Sequence, residues 1–349
     1  MRSSIPGSGT SMPNESACPS AIDSSRIMAT PGPLAQAWRR LNSNRLAVVS
    51  GVILTVIAVV SILGSTTSFV QRHDPAAQAY TDATGTNNTD RSPNRVNWLG
   101  TDGLGRDIWA RMLQATFFSL RIGIGAEAVI VALGISLGLL AGLGGQRTDR
   151  IIVWITDLAF AFPDILMIIL VRQVLLGRDW PILGAGSPQI PGVPSALLLT
   201  VIAISIVSWV TICRLVRGQI LSLHGQEYVL AARAAGASPW RTLRVHMLPN
   251  AISPVIVAIT FGIPRNIFAE ASLAFIGLGV PPPFASLGSL MSDGRAHLQT
   301  NSLLVIWPAL AVAMLMLCFT FLGDGLRDAL DPRSRRQRRA SIGLAPRHR

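Results

Sequence analysis

The sequence predicts an all-α, polytopic membrane protein with six transmembrane helices, and three observations carry that prediction. Apolar residues fill 50% of the 349 positions while charged residues fill only 14%, against about 25% charged in soluble domains. Mean hydropathy is +0.45. The apolar residues also fall into long blocks rather than periodic stripes, several near the ~20 helical residues that cross a bilayer core. A soluble enzyme, a secreted disulfide scaffold and a disordered chain are all excluded.

The elements follow in order. Residues 1–33 are rich in Ser, Pro and Gly, too polar to bury a core and expected to be disordered. They also lack the apolar stretch of a signal peptide. Leu46 to Leu63 reads LAVVSGVILTVIAVVSIL, a first span. A polar loop rich in Asp, Asn, Thr and Pro covers 71–97. The next apolar blocks lie at 120–143, 151–171, 196–213, 251–272 and 303–322, with a polar, Arg-bearing stretch at 214–249. The expected organisation is a disordered cytoplasmic tail (1–37), a first transmembrane segment (38–70) and an extracytoplasmic loop (71–117). A five-helix core (118–323) then contains the 214–249 loop, and a basic cytoplasmic tail (324–349) closes the chain.

The net charge of +12 is carried by 30 Arg and no Lys. Its distribution, rather than its size, is informative. Twenty Arg fall on one side of the predicted spans: five before the first, two at Arg147 and Arg150, five in 214–249 and eight after the sixth. Nine fall opposite, and Arg265 lies inside the fifth block. The positive-inside rule makes the richer side cytoplasmic, so both termini and the 214–249 loop are expected there. The excess charge is an orientation signal, and nucleic acid is not expected as a partner.

Cys213 and Cys318 lie in apolar blocks and Cys18 in the polar tail, so no disulfide framework or Cys/His metal spacing exists. Cys18 has no preceding apolar run to support lipidation. The five His are scattered, without paired-ligand spacing. No metal site is expected.

Within 214–249, Gln226 to Ala235 reads QEYVLAARAA, rich in helix formers. Gly236 supplies the left-handed residue that ends many helices. Ser238-Pro239 restarts one, with Ser as N-cap and Pro at the first helical position. The stretch is therefore expected to fold as helix, glycine corner, helix. The small side chains of Ala231, Ala232, Ala234 and Ala235 would let another protein approach closely; an ordinary interfacial hairpin is the alternative from the residues alone.

The run Ala231-Ala232-Arg233-Ala234-Ala235-Gly236-Ala237-Ser238, followed by His246-Met247-Leu248-Pro249-Asn250, resembles the EAA loop of ABC importer permeases. That pattern is Glu-Ala-Ala, three residues, Gly, nine residues, then hydrophobic-x-Leu-Pro. Ala231, Ala232, Gly236, Leu248 and Pro249 match; Leu230 stands in place of the Glu and His246 in place of the usual Ile. Other segments look like the C-type permease of dipeptide, oligopeptide and nickel importers. They are WLGTDGLGRD at 98–107, Phe162-Pro163 after Asp157, the run Glu270 to Gly279, and GDGLRDALDP at 323–332. The resemblance covers about 38–333. It departs in the long N-terminal tail, the extended 72–97 loop and the Pro- and Gly-bearing 177–194 loop.

This resemblance implies a type I ABC importer permease fold in a bacterial cell membrane. It implies half of a channel that pairs with a second, B-type permease. Two ATPase subunits, or one fused ATPase, would bind the cytoplasmic loops, and an extracytoplasmic binding protein would deliver di- or oligopeptides. Nickel, opine or haem-like ligands are alternatives within the same class. The 226–240 helix would transmit ATPase closure, with Ala231, Ala232, Arg233, Ala234, Gly236, Ala237, Ser238, Leu248 and Pro249 as the coupling residues. The sequence has no GxxxxGK[ST] phosphate loop, so this chain is expected to be no enzyme and to bind no cofactor itself. ATP and Mg would sit on the partners.

Gly134, Gly138 and Gly142 are spaced four apart, a small-residue face for close helix packing. Gly134-Ile135-Ser136-Leu137-Gly138 also matches a GxSxG hydrolase pattern, but that motif needs a strand-turn-helix setting. Glu127, Asp157, Arg265 and Glu270 are charges within spans, costing roughly 2.5–3.5 kcal/mol each on insertion scales. They would either line the translocation path or pair between helices or subunits. Rivals from other classes are a proton-coupled secondary transporter using Glu127 or Asp157, and a membrane enzyme using Ser136. After the last span, Arg327 and Asp331 are spaced to pair weakly. The Arg-rich tail at 333–339 suits anionic lipid headgroups.

Overall fold

A computed structural model describes residues 33–81, 85–176 and 195–330, and among these the regular secondary structure is helical, with two isolated bridge pairs in the connecting loops. In chain order the helices are α1 (Pro33–Ser43), α2 (Arg45–Thr66), α3 (Ser68–Gln71), α4 (Ile108–Leu143), α5 (Gly145–Phe160) and α6 (Asp164–Leu176). They continue with α7 (Ser195–His224), α8 (Glu227–Ala234), α9 (Pro239–Arg241), α10 (Leu248–Leu273), α11 (Leu287–Arg295) and α12 (Leu303–Leu330). Wider π turns at Thr242–Met247 and Ala274–Leu278 flank α10. Most of the N-terminal tail with Cys18, the 177–194 loop and the tail from Asp331 lie outside the described residues.

Helix starts follow local chemistry. Asn44 caps α2 through its side-chain oxygen, and Asp107 caps α4 by accepting from the Ala110 N–H at 3.1 Å. Ser286 and Ser289 form a reciprocal capping box at α11.

Five helices are long and apolar enough to cross a membrane, and six if α5 and α6 count as one bent crossing. Packing requires that sixth crossing. On α4, Gly125, Gly134, Gly138 and Gly142 lie against Val201, Ile212, Val216 and Ile220 of α7 in the same order, so α4 and α7 run parallel. The chain must therefore return between them. Near its start α2 lies against α12, with Ala47 beside Gly325, and near its end Gly64 meets Leu113 of α4. The start of α2 and the ends of α4, α7 and α12 thus share one end of the bundle, which also holds the α7–α10 connection.

The third apolar block, expected as one span over 151–171, is instead two helices bent by 97°. Pro163 lacks an N–H and disfavours helical backbone at the preceding residue, so α5 ends before Phe162 and α6 starts at Asp164. The fourth and fifth blocks are longer than hydropathy indicates. Helix α7 runs through Arg214 and Arg217 to His224, so the polar stretch expected from residue 214 opens as a continuation of that helix and leaves it at 225. The main core joins Ile122, Ile130, Ile204, Ile212, Val216 and Ile220 with Val229, Leu243 and Met247 from the connection.

Candidate functional site

The α7–α10 connection folds on local signals. After α8 the Ala237 N–H reaches the Ala232 carbonyl at 3.0 Å and the Gly236 N–H reaches Arg233 at 2.9 Å. This paired closure requires a left-handed residue at Gly236, where φ is +84°. A Cβ there would meet nothing within 4 Å, so glycine serves the backbone rather than a tight contact. Ser238 then caps α9, accepting from the Arg241 N–H at 3.3 Å, with Pro239 at the first helical position.

The connection has two faces. Val229, Thr242, Leu243 and Met247 are buried, and the three apolar side chains enter the core. Outward stand Tyr228, Leu230, Ala231, Arg233, Ala234 and Trp240. Ser238 and Pro249 are also exposed, while Ala232, Ala237, His246 and Leu248 are half-buried. Trp240 is 70% exposed and Leu230 51%, so both are open to a partner. Sequence reading passed over Trp240 because it lies inside none of the matched motif positions.

The intramembrane charges separate into buried and half-exposed groups. Glu127 is 3% exposed, accepts from Asn266 Nδ2 at 2.8 Å and lies against Gly262 of α10. Glu270 is fully enclosed and accepts from Ser119 Oγ at 3.0 Å; that hydroxyl in turn accepts from the Leu287 N–H. These two carboxyl groups join α4 to α10 and α11. Asp157 and Arg265 are half-exposed and do not meet each other. Asp157 pairs with Arg214 of α7 at 2.6 Å, and Arg265 with Asp164 of α6 at 3.0 Å. Asp164 and Arg214 were not among the sequence candidates; the signal available was an acid directly after the helix-breaking Pro163. Arg217 adds a pair with Asp149, and buried Arg172 donates to the Gly279 carbonyl at 2.9 Å.

The glycine face on α4 is filled by α7. A Cβ on Gly138 would lie 2.7 Å from the Cys213 carbonyl oxygen and 2.8 Å from Val216 Cβ. Ser136 points away and donates to the Ala132 carbonyl at 2.7 Å. Asp324, Arg327 and Asp328 are exposed on α12, and Asp331 with the following Arg residues lies outside the described region. Among the described residues no cluster of His, Cys, Asp and Glu has metal-binding geometry.

At the opposite end, residues 98–107 form a compact loop. Asp102 accepts from the Leu104 and Arg106 N–H groups, both at 2.9 Å, and from Arg106 Nε and Arg111 Nη1, both at 2.7 Å. Arg111 also pairs with Asp293 of α11 at 3.2 Å. These groups, with Gln78 and His297, border a cavity of about 500 Å³.

Residues 134–336 match the family described as binding-protein-dependent transport system inner membrane component. Residues 32–90 match the N-terminal transmembrane domain of oligopeptide transport permease C. The chain is 37% identical over 300 residues to the oligopeptide transport system permease protein OppC of Bacillus subtilis, spanning 86% of this chain and 90% of that protein. It is 35% identical to the dipeptide transport system permease protein DppC of the same organism, over 86% of each chain. It is 36% identical to the glutathione transport system permease protein GsiD of Pectobacterium atrosepticum, over 86% of this chain and 91% of that one. A solved structure titled as inward-facing conformations of the MetNI methionine ABC transporter aligns with TM-score 0.51 at 17% identity. It covers 64% of this chain and 97% of that one, a likeness of fold.

Proposed function

Because this chain belongs to the family of binding-protein-dependent transport inner-membrane components, we propose that it is the permease subunit of an ABC importer for peptides. The single observation carrying the reading is the α7–α10 connection: a helix–glycine–helix loop tied into the core by Val229, Leu243 and Met247 and presenting Leu230 and Trp240 outward. A loop rooted in this way passes an applied force to two spans at once.

The working unit in this reading contains a second permease, two ATPase subunits or one fused ATPase, and an extracytoplasmic binding protein. It lies in the bacterial cell membrane with both termini and the 225–247 loop cytoplasmic; the arginine distribution supports that orientation. ATP and Mg belong to the partners. Closure of the ATPases pushes on Ala231, Ala234 and Trp240, and α7 and α10 carry the displacement into the membrane. Di- and oligopeptides are the proposed cargo, as the names of the relatives suggest.

The test is purification of the tagged chain from its native membrane, identification of the copurifying proteins, and uptake by the reconstituted complex of a dipeptide, a pentapeptide and glutathione. An ATPase, a second permease and ATP-dependent uptake of at least one peptide are expected. A lone chain transporting without ATP would overturn the reading in favour of a secondary carrier.

A further inference from the structure

Two ion pairs bracket the break in the third crossing. In the last turn of α5, Asp157 accepts from Arg214 Nη2 of α7 at 2.6 Å, and the same guanidinium lies 4.2 Å over the Phe160 ring. At the first residue of α6, Asp164 accepts from Arg265 Nη2 of α10 at 3.0 Å. Arg265 Nη1 also reaches Thr211 of α7 at 3.5 Å. The 97° bend therefore has one edge tied to α7 and the other to α10. Those are the two helices that the 225–247 connection joins.

Away from the break, α5 is held by the Asp149–Arg217 pair and α6 by Ile168 and Arg172; the break itself has few other anchors. Residues 157–166 include no buried side chain, and among the side chains of α5 and α6 only Ile152, Thr156, Ile168 and Arg172 are buried. Sparse apolar contact is the mark of a segment that moves at low cost, and a few residues at a helix end suffice as a hinge. Helices α4 and α7 are by contrast locked along their glycine face. A displacement of α10 relative to α7 must then stretch a pair or change the bend.

We propose that the Asp157–Arg214 and Asp164–Arg265 pairs are transmission links, converting displacement of the 225–247 connection into opening and closing of the bend at residues 161–163. Asp164 and Arg214 are thereby positioning residues for transport. A direct role in holding the charged ends of a peptide fits less well, because oppositely charged partners 3.0 Å apart neutralise each other and present no net charge. The inference rests on the ATP-driven reading above.

The experiment uses the whole complex in lipid vesicles. Asp164→Asn and Arg214→Gln should each retain ATP hydrolysis while uptake per ATP falls about tenfold, within the range of coupling effects by residues along such links. The peptide concentration giving half-maximal uptake should not change. The exchange Asp164→Arg with Arg265→Asp should recover much of the loss. Independently, spin labels at Ile151 and Leu170 in the otherwise native chain should change separation between nucleotide-free and vanadate-trapped states. An unchanged separation, unchanged uptake per ATP in the single variants, or a shift confined to half-saturation would overturn the inference. Absence of ATP-driven uptake by the unaltered complex would instead overturn the reading beneath it.

Discussion

The carboxylate of Asp102 and the guanidinium of Arg111 meet at 2.7 Å, both nearly enclosed, and so fasten the loop ahead of α4 onto that helix. The same Arg111 reaches Asp293 of α11, so one cation holds together three parts of the bundle's end. Without Arg111 the Asp102 carboxylate keeps Arg106 and two backbone N–H donors, so the cost stays below the roughly 3–5 kcal/mol of a buried charge left with no partner. Arg111→Met should lower the Tm of the purified complex by several degrees and open residues 85–107 to protease. An unaltered Tm and digestion pattern would show that the loop is held by its backbone bonds alone.

Gly236 tests a backbone requirement without steric interference. A residue with a Cβ in left-handed backbone costs roughly 1–2 kcal/mol, less for Asn. Uptake per ATP hydrolysed should fall in the order Gly, Asn, Ala, Pro. Pro at this position can neither adopt φ +84° nor donate to Arg233, so Gly236→Pro should insert normally yet hydrolyse ATP without transport. Equal uptake by all four would refute the coupling role of the corner.

Trp240 should matter to partners and not to folding. Removing an exposed aromatic costs the isolated subunit little, whereas interface hot spots of this type are worth about 2 kcal/mol or more. Trp240→Ala should keep the Tm of the permease pair and weaken its titrated ATPase binding by about 30-fold. Val229→Ala, on the same connection but fully buried, should show the reverse pattern.

Gly138 and Gly218 form a controlled pair. A methyl on Gly138 would strike the Cys213 carbonyl, whereas a methyl on Gly218 meets nothing within 4 Å. Overpacking costs about 1–3 kcal/mol, so Gly138→Ala should lower Tm by several degrees. Gly218→Ala should leave it equal or raise it, because Ala favours helix by up to about 1 kcal/mol. Similar behaviour of the two would mean that α4 and α7 separate easily.

Legibility followed the range of the interaction. Ser238-Pro239 and Gly236 were readable because a cap and a left-handed corner depend on residues three or four apart. The glycine spacing 134, 138, 142 announced a packing face but not its partner, which lies about 78 residues further on. Asp157 and Arg265 were recognisable as costly charges inside apolar blocks. Their partners were not, because Asp157 and Arg214 are 57 residues apart and Asp164 and Arg265 are 101 apart. Pro163 was visible too, yet hydropathy averages across it and so gave the one crossing without its 97° bend.

By itself the sequence determined the membrane class, the six apolar blocks and the glycine corner of the loop, since each depends on composition or on neighbours within a few residues. Only the tertiary structure decided that α4 and α7 run parallel, that the third crossing bends by 97°, and that this bend is held between α7 and α10. Those outcomes turn on which side chains meet across long separations, and such meetings are selected by the packing of the whole bundle rather than by local preference.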